Sequence, residues 1–179
     1  MSETPVYLLV DGENIDATLG MSVLNRRPNP EERPRWDRIL TFSREEWECP
    51  GAKGLFFLNA SSGQMPMSFI QALLAMEYSP IPLSSHGGEK VVDVGIQRTL
   101  EAIAEREEGD VLLASHDGDF IPQVEALLQR GRRVGVLCFT EFLNAQLASL
   151  EGLEIYDLEG DIGAFTAANP LHYHAADGS

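Results

Sequence analysis

Cysteine is scarce. Only Cys49 and Cys138 occur in 179 residues, with no Cys-x-x-Cys spacing, so neither a disulfide framework nor a thiolate zinc site is suggested, and both are expected to be ordinary reduced thiols. Long apolar runs are missing as well. Stretches such as Val6 to Val10 and Val111 to Ala114 fall far short of the roughly 20 residues that cross a bilayer, so no membrane crossing is expected. The opening Met1-Ser2-Glu3-Thr4 lacks the positive head and the apolar stretch of about 7–15 residues that mark a secretory signal. The expected location is the cytoplasm. Neither G-x-G-x-x-G nor G-x-x-x-x-G-K-[ST] occurs, which disfavours nucleotide-dependent enzymes. Positive charge is also short: 13 Lys and Arg stand against 28 Asp and Glu, a net charge of −15, which argues against a protein that coats nucleic acid through bulk positive charge. Any such contact must be local.

What is present is globular composition, with 44% apolar and 23% charged residues, 16 Gly and 10 Pro, enough for one domain with a sizeable core. Arg26, Arg27, Arg33, Arg35, Arg38 and Arg44 put six of the 13 basic residues into one stretch of nineteen. It is the one candidate basic patch. The plain reading is a solvated, Pro-rich excursion whose arginines answer Glu31, Glu32 and Asp37. The functional reading places the patch beside the site, with Arg33 and Arg35 binding substrate.

Pro5 to Val10 is a continuous apolar run stopped by Asp11-Gly12, as expected of a strand buried on both faces of a parallel sheet. Residues 21–34, with three prolines, predict a loop above the sheet. Trp36, Ile39, Leu40 and Trp47 recur near helical spacing until Pro50-Gly51. Residues 54–59 predict a second strand, 66–76 a helix, and 79–83 a short edge strand where prolines are tolerated. After a loop over 84–89, Val92, Ile96, Leu100 and Ile103 step down a helix that ends near 108. A strand over 110–115, a helix to Gly131, a strand over 134–139, a helix over about 141–150 and a last strand over 153–156 follow. This alternation predicts an α/β fold, a helix-covered, mostly parallel sheet of five or six strands. The domain is expected to span 1–160, with 21–50 an insertion of loop and helix and 161–179 a loosely attached tail.

In open α/β sheets, ligands gather at the carboxyl ends of strands where the strand order reverses. Asp11 follows the first strand, with Glu13 and Asn14 close behind; Asp117 and Asp119 follow the fourth; Asp93 opens the helix between the third and the fourth. Four carboxylates brought together must relieve their repulsion through raised pKa values or a cation. Mg²⁺ or Mn²⁺, held by carboxylates plus substrate phosphates, is the economical answer.

Val10-Asp11-Gly12-Glu13-Asn14, Lys90 to Gly95, and Ser115-His116-Asp117-Gly118-Asp119-Phe120, in this order and spacing, resemble the NYN domain family, specifically its LabA-like branch, relatives of the PIN-domain nucleases. The resemblance runs from about residue 5 to 150. It implies a PIN-like, Rossmann-like three-layer fold with an acidic, metal-dependent ribonuclease site, in which Asp11, Asp93, Asp117 and Asp119 match the family's acidic positions and Asn14 the polar residue beside the first. Many relatives carry a further acid where this chain has Thr99. The implied mechanism is metal-assisted phosphodiester hydrolysis, with Asp11 and Asp117 as the most direct ligands. Asp93 and Asp119 are left to a second ion, its waters or the attacking water. Asn14 is expected to bond Asp11 or a phosphate, Ser115 to orient a carboxylate, and Lys90 to reach a phosphate.

Each assignment has a structural alternative. Asp11 and the Asp117-Gly118-Asp119 element also suit turns and helix caps, and Asp93 suits the positive end of its helix. His86, His116, His172 and His174 show no ligand spacing and read as surface or tail residues. Trp36, Trp47 and Phe56-Phe57 read as core, although a Trp near the arginine stretch also suits stacking on a base. Two function classes stay open: an endoribonuclease, and a non-catalytic RNA-binding or protein-interaction module. A phosphatase of the haloacid dehalogenase kind fits poorly, because it wants Asp at position 13, which is Glu. A homodimer is left open.

Overall fold

In the computed structural model, which describes residues 4–63, 66–84 and 90–165, the apolar runs become strands. β1 (Val6–Asp11), β2 (Lys53–Asn59), β3 (Tyr78–Leu83), β4 (Asp110–Ala114), β5 (Val134–Cys138) and β6 (Glu154–Asp157) lie in the order β3-β2-β1-β4-β5-β6, with every neighbouring pair parallel. The fold is therefore α/β, with the fully parallel sheet at its centre.

Alternate side chains of each strand feed two cores. Val6, Leu8 and Val10 of β1 join Leu112, Leu137 and Phe56 on one face, beneath α1 (Gly12–Thr18), α2 (Trp36–Glu46) and α3 (Met67–Ala75). Leu9 joins Val111, Leu113, Val134 and Val136 on the other, beneath α4 (Val91–Glu105), α5 (Ile121–Gln129) and α6 (Ala145–Ala148). Both faces are covered, which is why these strands read as unbroken apolar runs rather than alternating ones. Trp36, Trp47, Phe56 and Phe57 are core residues. Trp36 meets Phe56 edge to face at 4.9 Å, and the buried Tyr78 hydroxyl donates to the Trp36 carbonyl at 2.7 Å.

β3 is one of the two edge strands, with Pro80 and Pro82 inside it. The Leu83 carbonyl accepts from Ala60 N–H at 2.7 Å, so Leu83 and the residues two and four before it face β2. Both prolines therefore sit at outward-facing positions, where no ladder bond is lost.

Three segments differ from the sequence expectations. The region after β1 is not only loop: α1 is followed by a π-helical turn, Leu19–Leu24, and later by a 3-10 turn, Pro30–Glu32. The seven residues of α1 are too few for an apolar period to stand out; Ile15 anchors it in the core, and Leu19, Val23 and Leu24 anchor the π-helical turn. The helix expected over 141–150 shrinks to a 3-10 turn, Thr140–Phe142, and α6. Asn144 divides them, because its Oδ1 accepts from the N–H groups of Gln146 and Leu147 at 2.9 and 3.0 Å and so caps a new helix.

The loose tail expected from 161 does not begin there. Leu158 and Ala164 are fully buried and Ile162 and Phe165 pack against the first core, while the Arg38 guanidinium donates to the carbonyls of Gly163 and Phe165 at 3.1 and 3.2 Å. Residues 166–179, with His172 and His174, and residues 85–89 of the loop expected over 84–89, with His86, lie outside the described residues.

Candidate functional site

The strand order reverses between β1 and β4, which places the ends of these two strands on either side of the crevice where ligands bind in such sheets. Asp11 is the last residue of β1, and Ser115 to Asp119 lead out of β4. A crevice of about 250 Å³ opens there, lined by Asp11, Glu13, Asn14, Asn59, Lys90, Val91, Val92, Asp93 and Asp117. The close turn from β1 into α1 requires glycine at position 12, since a Cβ would fall 2.6 Å from the Phe56 ring.

Asp93, Asp117 and Asp119 each present a carboxylate oxygen, all within 4.8 Å of one another. Asp11 is not in that group. It is drawn back and buried, its Oδ2 accepting from Ser115 Oγ at 3.0 Å and its Oδ1 from Asn14 N–H at 3.4 Å. The expected foursome is thus a converging trio, two of whose members, Asp93 and Asp117, line the crevice together with Asp11.

The electrostatics match this crowding. Burial, a side-chain hydrogen bond with Asp119 and the charges of Asp11, Asp117 and Asp119 push the Asp93 carboxyl up to about 7. Burial pushes Asp11 up to about 6 despite the bonds from Ser115 and Asn14, with further repulsion from Asp117 and Glu13. Lys90 answers part of the charge: its ammonium lies 3.4 Å from Asp119 and 3.9 Å from Asp93, and Asp119 raises its pKa most. Capping uses only some of the acids' oxygens and so leaves others free for a further role. Asp117 Oδ1 accepts from Asp119 N–H at 3.0 Å, as a cap should, and Asp117 still joins the trio.

Two residues of the site escape the sequence reading. Gln97 stands four residues after Asp93, one turn along the same face of α4, and its Nε2 donates to the Asp119 carbonyl at 2.9 Å. That spacing is the signal that could have found it. His116, expected at the surface, is 5% exposed, and burial lowers its pKa to about 4. Its backbone N–H and Nδ1 both meet Asn14 Oδ1, at 2.7 and 3.0 Å, and its Nε2 accepts from Phe139 N–H at 2.8 Å. The Asn144 N–H donates to its carbonyl at 3.2 Å. Its place inside Ser-x-Asp-x-Asp-Phe was the available signal. Gly118 lets the loop seat against Asn144, whose amide a Cβ would meet at 2.6 Å.

The remaining expected residues are placed as follows. Asn14 contacts Asp11 through its backbone and His116 through its side chain. Ser115 Oγ, besides bonding Asp11, accepts from Asp117 N–H at 3.2 Å. Thr99 turns inward on its helix, donating to the Gly95 carbonyl at 2.8 Å. Arg33 and Arg35 do not line the crevice. Arg33 lies 3.8 Å from Asp16 of α1, and Arg35 pairs with Asp37 at 3.2 Å. Arg26 pairs with Glu32 and Arg44 with Glu77. Much of the basic stretch is therefore neutralised locally.

An all-oxygen trio at this spacing suits a hard divalent cation better than a soft one. Among the described residues no helix is long and apolar enough to cross a membrane. None of the curated proteins compared with the chain matches it. The profile of the NYN domain matches residues 5–151, which takes in β1 through α6 and every acid of the crevice, and the chain belongs to the NYN domain family.

Proposed function

We propose that this protein is a metal-dependent endoribonuclease of the LabA-like branch, hydrolysing RNA phosphodiester bonds at the acidic crevice. The observation that carries the reading is the convergence of Asp93, Asp117 and Asp119 within 4.8 Å at the carboxyl end of a parallel sheet. The family relationship points the same way, since NYN domains suggest PIN-like nucleases, which are generally divalent-metal dependent and bind RNA. In this reading the cytoplasm is the working compartment.

Asp93, Asp117 and Asp119 would hold Mg²⁺ or Mn²⁺. The ion, when bound, supplies Lewis-acid stabilisation of phosphate charge and a more acidic water. Asp11, buried and raised to about 6, is suited to orient the attacking water and take its proton. Ser115 and the Asn14 N–H hold that carboxylate in place. Lys90 meets a phosphate as a point charge, and Arg33 and Arg35 follow the strand beyond the crevice.

A second reading, a non-catalytic RNA-binding or protein-interaction module, draws on Thr99, whose hydroxyl is spent inside its own helix. One experiment separates the two. The protein is incubated with a labelled single-stranded RNA, with Mn²⁺ or with EDTA, beside Asp117→Asn. Cleavage that needs the metal and is lost in a folded Asp117→Asn variant supports the nuclease. RNA binding with no metal-dependent cleavage supports the module.

A further inference from the structure

Every hydrogen-bonding group of His116 is engaged, and the pattern fixes where its protons are. The Phe139 N–H donates to Nε2, so Nε2 is the bare nitrogen and Nδ1 carries the proton. Nδ1 therefore donates to Asn14 Oδ1, which also accepts the His116 backbone N–H. With both donors on its oxygen, the Asn14 amide has one admissible orientation. Flipping it would set its NH₂ against two N–H groups. The imidazole is held flat by stacking on Phe139, centroids 5.8 Å apart and planes 5° from parallel.

The other half of the amide is free. Asn14 lines the acidic crevice, and among the described residues no acceptor takes its Nδ2 hydrogens. The crevice walls also carry the carboxylates of Asp11, Glu13, Asp93 and Asp117, which repel a phosphate, beside the single cation Lys90 and the Asn59 amide. A neutral donor supplies attraction for a phosphate oxygen without competing for the cation, whereas a flipped amide would present one more oxygen ligand and no donor.

We propose that His116 is a positioning residue that fixes the Asn14 amide with its NH₂ facing the crevice, as a hydrogen-bond donor to a phosphate oxygen of the bound RNA. The chain of contacts runs from the end of β5, through the loop after β4, to the first turn of α1. A residue outside the acidic set thus decides whether position 14 shows substrate a donor or an acceptor. The proposal rests on the nuclease reading for the identity of the ligand, but the orientation of the amide does not.

The test measures affinity for a fluorescein-labelled single-stranded RNA of mixed sequence and, separately, affinity for Mn²⁺ alone. His116→Phe keeps a ring on Phe139 and removes both nitrogens; Asn14→Asp keeps Oδ1 and replaces the NH₂ with an oxygen. Asn14→Asp is expected to weaken RNA binding about tenfold, the worth of roughly one hydrogen bond to a charged group, and His116→Phe, which keeps the backbone N–H on Oδ1, by a smaller but measurable factor, with Mn²⁺ affinity unchanged or higher in both. A general disturbance of the acidic loop would weaken both. His116→Phe combined with Asn14→Ala should lose no more RNA affinity than Asn14→Ala alone, because the imidazole acts through the amide. Nitrogen-15 NMR of the unsubstituted protein should show His116 protonated at Nδ1, which keeps the proposal testable if His116→Phe does not fold. Unchanged RNA affinity in a folded His116→Phe, additive losses in the double variant, or a proton at Nε2 would each overturn the proposal while leaving the nuclease reading intact. An unsubstituted protein that neither binds nor cleaves RNA overturns that reading instead, and with it the assigned ligand.

Discussion

The backbone N–H of Arg35 donates to the carbonyl of Ala164 at 2.6 Å, joining the start of α2 to a segment that follows the last strand. The same segment sends Leu158 and Ala164 fully into the first core. Leu158→Ala should therefore cost about 2–5 kcal/mol, as for other large-to-small core changes, and lower the melting midpoint by about 5–15 °C. Thermal unfolding followed by circular dichroism measures it. A midpoint within a degree of the unsubstituted protein would show that residues 158–165 are dispensable.

Stability of the metal-free protein should fall as pH rises toward 8. Asp93 and Glu159 titrate at about 7 and Asp11 at about 6, against ordinary values of 3.8 for Asp and 4.5 for Glu. Between about 4 and 7 the folded chain therefore binds more protons through them than the unfolded chain does, and each loses stability with rising pH. His116, at about 4 against 6.5, acts in the opposite sense below 6.5. Only the carboxylates act above that point. The metal-free melting midpoint should be higher at pH 6.5 than at pH 8 by about 2–4 °C, an effect of about 1 kcal/mol after screening in an open crevice. Saturating Mn²⁺ should shrink the difference by the share of the crevice acids, because it binds only their deprotonated forms, and leave that of Glu159. Equal midpoints at both pH values without metal would mean that burial and neighbouring charge do not raise these carboxyls.

Gln97 holds the Asp119 backbone from α4. Gln97→Leu keeps the helix and removes that bond, so cleavage should slow by about tenfold, the worth of roughly one hydrogen bond, with the melting midpoint little changed. Rates under single-turnover conditions measure it. An unaltered rate would make the contact incidental.

For the arginines the measurement is the salt dependence of RNA binding. If Arg33 and Arg35 each meet a phosphate of a single strand, charge reversal at both should reduce the slope of log affinity against log salt by about 1.4, at about 0.7 per contact. An unchanged slope would confine both to their ion pairs with Asp16 and Asp37.

The parts of this molecule that can be read from sequence are those with a strong one-dimensional pattern. The buried strands announce themselves as apolar runs because both sheet faces are covered, and Asp11, Asp93, Asp117 and Asp119 stand out because each sits where such a run ends or a helix opens. α1 hides because seven residues with one apolar core anchor, Ile15, carry no period. The burial of His116 depends on three partners, at positions 14, 139 and 144, brought together from separate parts of the chain; no local spacing encodes that. Asp11 stands apart from the trio with bonds from the Ser115 hydroxyl and the Asn14 N–H; the residues of both contacts are legible in the sequence, the distance from the trio is not. Residues 161–165 read as loose tail because their few apolar residues lack periodicity, yet Ala164 is fully buried.

The two prolines of β3 reach beyond the fold of a single copy. An incoming strand laid along that flank would meet carbonyls at positions 80 and 82 with no matching N–H, so it could not zip onto the sheet there. Cross-β growth and strand exchange between molecules are discouraged on that side by covalent structure alone, at any pH and any salt concentration.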